Sequence, residues 1–419
     1  MLALLLLGPS AVGAAAQASA GGRSRVLVSA GDDDNGGTGR TAGRQGHQSP
    51  LQDFTARKAH AVVERIAKEC LALPPRRTPP TSVHDLRIDD VRVVAGMGDS
   101  ISAGFGAKGL SDPTTPTPIK ATTESRGVAF SMGGDPGALT LANLVSVFRP
   151  DLVGRSIGDH VAEVCYYLWC LPFQYWPRQD RLNGAQSGAT VPTLPHELDY
   201  VVDQMRRDPG IDFDRDFKLL TLFIGSNDVC IGCSTLGLDG ALSPDVFESH
   251  MRQLFESMRQ SIPRLVVNVL LQFNVSQVWD ATHDDLRCSM LRSSGLVFEC
   301  TCAFMPGPLG AVTRARMDEL VQAYNERIVR IAAEYRSLRD PSFAVTVDPL
   351  FRNVKIREWG LPFLSDVDCF HPSLSAHESM AVGIWNNMFL PWGRKVEVFD
   401  PNTDPVPVCP DEHSRIQTE

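Results

Sequence analysis

Residues 91–100 read Val-Arg-Val-Val-Ala-Gly-Met-Gly-Asp-Ser, an apolar run that breaks at glycine and delivers a serine at its carboxyl end. Val91–Met97 is read as a buried strand. Three later segments repeat the pattern: Lys218–Ile224, which opens into Gly225, then Leu265–Phe273 and Phe343–Val347. Between them lie segments of helical spacing, Leu194–Arg206, Pro244–Ser261 and Thr313–Arg336. In the last of these Val321, Tyr324, Ile328 and Ile331 form the apolar stripe. Apolar strands alternating with helices predict a parallel sheet covered on both faces. Ligands of such sheets bind beyond the carboxyl ends of the strands, where Ser100 stands.

Composition bounds the rest. The 419 residues are 43% hydrophobic and 21% charged, which excludes a wholly disordered chain. A net charge of −9 argues against nucleic acid or an anionic membrane surface recruited by bulk charge, though not against a local apolar contact with lipid. Leu2–Leu7 and the small-residue sites at Ala14–Ala16 and Ala18–Ala20 are read as a signal peptide, residues 1–20. That run is too brief for a transmembrane anchor, and Asn268 and Gln272 interrupt the longest later apolar stretch. Residues 21–50, with eight Gly, read as a disordered leader. Residues 51–80 read as a helix followed by a Pro-rich connector, 81–395 as one catalytic domain, and 396–419 as a polar C-terminal tail. The expected location is secreted, or the lumen of the secretory pathway. The sequon Asn274-Val275-Ser276 is consistent with glycosylation on that route. The ten Cys are accordingly expected to be largely disulfide-bonded.

Several motifs compete for the chemistry. Gly104–Gly109 matches G-x-G-x-x-G, but it starts too far past the strand to cradle a phosphate. Gly154-Arg155-Ser156-Ile157-Gly158 matches the nucleophile-elbow pattern, with Pro150 leaving little room for the strand such an elbow needs. Cys230 and Cys233 form a lone C-x-x-C, read as part of one or more disulfides rather than a zinc site, which would need two further ligands. Ser100 follows a strand and precedes a helix whose N–H groups would point at its oxygen; an N-cap serine is the plain alternative. Asp368-Cys369-Phe370-His371 places an acid three residues before a histidine, so that one turn can hold both. Cys369 could bridge and fix that turn, or be a buried thiol. Asn227 follows the second strand in Gly225-Ser226-Asn227-Asp228. Gly188 ends a glycine turn, Asn183–Gly188, where a backbone N–H can approach a reacting atom.

In this order the four segments resemble the SGNH, or GDSL, hydrolase superfamily. Carried over, the resemblance implies Ser100 as nucleophile, His371 as base and Asp368 as the acid that orients it. It implies an oxyanion hole built from the Ser100 and Gly188 N–H groups and the Asn227 side chain. The motif's fourth letter departs, with Ile101 in place of Leu. Longer stretches are similar to the animal phospholipase B family: Thr81–Arg87, Arg126-Gly127, Ser131–Asp135, Thr221–Asp228 with Cys230–Cys233, Cys300–Cys302, Asp368–His371 and Trp385–Met388. The resemblance implies a three-layer α/β/α sandwich with a parallel sheet of about five strands. It also implies hydrolysis of fatty-acyl esters of phospholipids and lysophospholipids through an acyl-enzyme, with no metal or organic cofactor. A short-chain or carbohydrate esterase would use the same residues, and a lipid-binding protein without catalysis would need none of them together. The familiar members carry tandem copies and a membrane anchor, unlike the single copy here.

Residues 156–182 depart from that family. Within them, Cys165–Trp176 holds six aromatics in twelve residues: Tyr166, Tyr167, Trp169, Phe173, Tyr175 and Trp176. Two readings stand open. The segment is either an acyl-chain lip touching a lipid interface, since Trp and Tyr suit such a boundary, or a core-packing strand pinned by Cys165 and Cys170.

Overall fold

The computed structural model describes residues 50–418 apart from 71, 111–121, 167–168, 172, 233–239, 241, 294–299, 301 and 400–405. The signal-peptide and leader readings lie outside the described residues. Four strands, β1 (Val91–Gly98), β2 (Phe217–Phe223), β3 (Leu265–Leu270) and β4 (Phe343–Asp348), pair in parallel in the order β1-β2-β3-β4. Every residue of β2, β3 and β4 is buried, and in β1 only Arg92 is partly exposed. Side chains alternate between the two faces of a strand, so burial at successive positions requires cover on both sides.

The helices that frame the site are α1 (Pro50–Glu69), α2 (Ser100–Ala103), α3 (Leu141–Phe148), α4 (Leu194–Arg207), α5 (Ser226–Gly232), α6 (Pro244–Ser261), α7 (Gly307–Leu338) and α8 (Leu374–Met388). One group joins α4 on β1 to α6, and α6 to α7, which lies on β4. A second joins α8, also on β4, to α3 and α1. The sequence expects about five strands. On the outer edge of β1 the pairing continues only as short pieces: Val94 N–H donates to Val153 O at 3.0 Å and Gly96 N–H to Leu182 O at 3.0 Å. Gly154, with φ 110° and a would-be Cβ 2.0 Å from Val94 O, interrupts the extended backbone next to β1, and no fifth strand joins this sheet among the described residues.

Two boundaries differ from the expected ones for local reasons. β3 stops at Leu270, not Phe273, because Gln272 N–H turns to the Asn325 side chain at 2.8 Å. The polar C-terminal stretch is no loose tail over 406–418. Cys409 is bridged to Cys70, Ile416 is buried, and Ile416 N–H donates to Leu86 O at 2.8 Å. Further disulfides join Cys165 to Cys170, Cys230 to Cys300 and Cys288 to Cys369; Cys302 is also disulfide-bonded, and no cysteine among the described residues is free.

Candidate active site

β1 ends at Gly98, whose φ of 146° and close approach to Phe223 O on β2 (2.1 Å from an added Cβ) exclude any larger residue. Asp99 then caps α2, its Oδ1 accepting from Ile101 N–H at 3.0 Å, and Ser100 becomes the first helical residue. The serine is therefore both the first residue of the helix and the presented hydroxyl, while its neighbour does the capping. Burial pushes the Asp99 carboxyl up to about 6, against the opposing pull of the Ile101 N–H and His371.

Register brings the other segments to the same edge. Gly98 pairs with Phe223, so the turn after β2 places Asn227, at the start of α5, beside the end of β1. The loop at 183–189 is stitched there from both sides. Gln186 N–H donates to Gly98 O at 3.1 Å, and Asn227 Nδ2 donates to Ala189 O at 2.9 Å. Gly188 lies between these anchors with φ 79°, and a Cβ would stand 2.2 Å from Cys165 O. The N–H groups of Ser100 and Gly188 donate to no protein acceptor among the described residues.

The acid and the histidine arrive from a loop well after β4. Asp368 Oδ1 accepts from Phe370 N–H at 2.8 Å and His371 N–H at 3.0 Å, folding the turn around its own side chain. Its Oδ2 lies 2.5 Å from His371 Nδ1, and His371 Nε2 lies 2.7 Å from Ser100 Oγ. Asp368, His371 and Ser100 are all buried. Phe105 and Phe370 pack on the imidazole, with ring centroids at 4.7 and 5.2 Å. A hydroxyl, an imidazole and a carboxylate in this line can move the hydroxyl proton to the ring while the acid holds the tautomer that receives it.

The Cys288–Cys369 bridge ties this turn to a chain segment 81 residues away. Cys369 has φ 57°, a conformation a side chain adopts only when its surroundings hold it. Cys288→Ser is expected to cost about 2–4 kcal/mol of stability, as loss of a long-loop disulfide does, and to lower turnover by letting the turn relax. Thermal melts and kcat for the purified variant check both; an unchanged kcat would show that the turn holds without the bridge.

Sequence reasoning missed what lies beneath. Arg126 is fully buried, its Nη2 donating to Glu124 Oε2 at 2.7 Å and to Ala185 O at 2.7 Å, and its Nη1 to Asn183 O at 3.0 Å. Glu124 Oε1 in turn accepts from Ser187 Oγ at 2.6 Å, next to Gly188. The guanidinium thus holds the carbonyls of the Gly188 loop from within. His160, Glu163 and Asp180 cluster beside it with ligating atoms within 4.8 Å. Those atoms are already engaged: His160 Nε2 lies 2.7 Å from Asp180 Oδ1, and Arg126 faces Glu163 and Asp180 at 3.4 and 3.5 Å. Arg126-Gly127 stands out in the sequence, but no periodicity marks a buried charge in a loop. His377, a second histidine close by, is no base: burial, aided by His371, pushes its pKa down to about 3, and its Nδ1 accepts from Phe130 N–H.

The competing motifs find structural uses. Gly104 ends α2 with φ 78°, and Gly106 O accepts from Ser365 Oγ in the histidine loop at 2.6 Å. Ser156 is buried, donating to Arg126 O at 2.8 Å. Cys230 bridges to Cys300, and Cys233 lies outside the described residues. In the aromatic segment, Cys165–Tyr166 and Trp169–Cys170 pair as a tight hairpin joined to the Gly188 loop by Cys165 N–H to Ser187 O at 2.9 Å. Tyr167 and the Tyr166 side chain lie outside the described residues. Core packing does not hold for Trp169, Phe173 and Trp176, which are exposed, whereas Tyr175 stacks inward on Tyr200.

Asp228 gives the edge a pH signature. Burial pushes its carboxyl from 3.8 up to about 7, although Val191 N–H donates to both oxygens at 3.2 Å. A carboxyl that binds its proton more tightly when folded favours the folded state at low pH and loses that contribution as pH rises from about 4 to about 7. Asp228→Asn is expected to remove this dependence and to raise stability above pH 7 by a few kcal/mol. Chemical denaturation of both proteins at pH 5 and pH 8 measures it, and equal pH slopes would contradict it.

Residues 94–384, well over half the chain, match the family model described as GDSL-like Lipase/Acylhydrolase. The chain is 30% identical over 336 residues to "Phospholipase B1, membrane-associated" of Rattus norvegicus, covering 78% of this chain and 21% of that protein. To the Homo sapiens protein of the same name it is 29% identical over 355 residues, covering 82% and 22%. The chain thus spans about a fifth of the length of these relatives. Among solved structures, the extracellular lipase from Streptomyces rimosus aligns over 68% of this chain and 95% of its own, at 13% identity and a TM-score of 0.34.

Proposed function

The chain belongs to the GDSL-like lipase/acylhydrolase family, and from that premise we propose that it hydrolyses fatty-acyl esters of phospholipids and lysophospholipids through an acyl-enzyme on Ser100. The observation that carries the chemistry is the unbroken line from Ser100 Oγ to His371 to Asp368. His371 takes the Ser100 proton as the oxygen attacks the acyl carbonyl. The developing oxyanion is met by the Ser100 and Gly188 N–H groups and by the second Asn227 N–H, the first being held by Ala189 O. His371 then returns the proton to the departing alcohol, and water activated by the same ring releases the fatty acid. The lipid substrate is supported by the relatives' name, phospholipase B1.

No helix among the described residues is long and apolar enough to cross a membrane, and the disulfides fit an extracellular or secretory protein. Secretion by way of residues 1–20 belongs to the same proposal, and so does transient contact with a lipid interface. Asn227→Ala is expected to lower kcat by about 10²–10³ with little change in KM, the usual loss for one oxyanion donor. The assignment of the nucleophile is tested by labelling with a fluorophosphonate. One adduct is expected, on the peptide holding Ser100; a folded protein that takes none is a binder rather than an enzyme.

A further inference from the structure

Four apolar side chains within residues 169–176 stand in water: Trp169 is 62% exposed, Leu171 44%, Phe173 100% and Trp176 53%. Single exposed apolar residues need no explanation, but a concentration of large ones marks a surface that meets something. The segment is firmly held. Gln174 stands in for a strand partner, its side chain accepting from Val164 N–H at 2.7 Å and donating to Val164 O at 2.9 Å. Tyr175 turns inward, stacks on Tyr200 at 3.6 Å and donates its hydroxyl to Gly184 O at 3.0 Å. Phe173, two residues earlier, has φ 61°, a conformation unfavourable for a bulky residue, and its ring points wholly into solvent.

Charge narrows the partner. Arg178 and Arg181 follow the rings; both are exposed, and neither lies within ion-pair distance of a carboxylate among the described residues. Asp180 between them is turned into the core against Arg126 and His160. A chain of net charge −9 therefore offers a pair of exposed cations directly following the exposed aromatic rings along the chain. Headgroup phosphates lying over acyl chains complement that pairing. The segment also abuts the catalytic edge, with the Cys165 carbonyl in the space a Cβ on Gly188 would need.

We infer that Trp169, Leu171, Phe173 and Trp176, with Arg178 and Arg181, form the surface by which the protein docks on a phospholipid–water interface. This rests on the phospholipid reading and adds how an aggregated substrate is met. The test uses Ser100→Ala protein, which consumes no lipid, sedimented with sucrose-loaded vesicles of phosphatidylcholine, alone or mixed with phosphatidylglycerol. Trp169→Ser with Phe173→Ser should lower partition by about tenfold or more on both; Trp176 is spared because it stacks on buried His160. Arg178→Glu with Arg181→Glu should lower it most on the mixed vesicles. In active protein, the ratio of micellar phospholipid turnover to soluble short-chain ester turnover should fall with the aromatic pair by a similar factor. Equal partition of parent and aromatic variant, or no partition at all, overturns the inference. So does a concentration-dependent dimer that the aromatic pair dissolves, which would assign the surface to a second copy. If the Ser100→Ala protein docks on vesicles while wild-type protein releases no fatty acid from them, the docking surface stands and the substrate is overturned instead.

Discussion

Ser100→Ala and His371→Ala are each expected to lower kcat for ester cleavage by about 10⁴–10⁶ while leaving the protein folded. Ser100 Oγ bonds only to His371 Nε2 among the described residues, so trimming it removes one hydroxyl and no structural link. His371 also holds its turn through its main chain, with N–H donating to Asp368 and the carbonyl accepting from Ser365 N–H at 2.7 Å; both survive in alanine. The double variant should be no slower than either single one, because the two groups act in the same step. Turnover of a soluble acyl ester, with melting curves as the folding control, measures this. Folded Ser100→Ala protein within tenfold of wild type would remove Ser100 from the mechanism.

Asp368→Asn should cost about 10⁴ in kcat, nearly as much, without unfolding the turn. Asp368 Oδ1 already accepts from two backbone N–H groups, at 2.8 and 3.0 Å, where only an acceptor fits. The asparagine carbonyl must take that place, which leaves its NH₂ facing His371 Nδ1. The ring then keeps its proton on Nε2, and that nitrogen can no longer receive one from Ser100. Asp368→Ala differs, because it deprives both backbone N–H groups of their acceptor and should lower stability as well. The pair of variants separates the tautomer from the fold: matching melting temperatures for wild type and Asn, with activity lost, is the expected pattern. A loss under about tenfold in Asn would mean the acid does not set the proton's position.

The sheet was legible because its strands are buried on both faces, so that Val91–Met97 and Phe343–Val347 announce themselves as near-continuous apolar runs, each interrupted by a single polar residue, Arg92 and Thr346. The residues of the hydrogen-bonded line from Ser100 to Asp368, proposed as catalytic, were legible for a different reason. Gly98, Asp99 and Ser100 are consecutive, as are Asp368 to His371, and one local turn dictates each arrangement. What could not be read is long-range and irregular. Glu197 on α4 accepts from Gly98 N–H beneath the serine at 2.8 Å, across 99 residues of chain, and burial drives its carboxyl well above its ordinary range. Arg126 and Glu124 hold the Gly188 loop through carbonyls and a hydroxyl whose partners no periodicity reveals. The same holds for the C-terminal stretch: its polar composition suggests a tail, yet one disulfide and one buried isoleucine fasten it. The aromatic segment was ambiguous because composition cannot say which rings face inward; Tyr175 does, and Trp169 and Phe173 do not.

The central claim is that Ser100 cleaves fatty-acyl esters of phospholipids. Its most direct measurement is fatty-acid release from defined diacyl and lysophospholipids by purified wild type beside Ser100→Ala. Wild type should release fatty acid from both classes, and Ser100→Ala should fall at least about 10⁴-fold below it. Wild-type protein that cleaves acetyl esters but frees no fatty acid from phospholipid, or a Ser100→Ala variant that still frees it, would contradict the account.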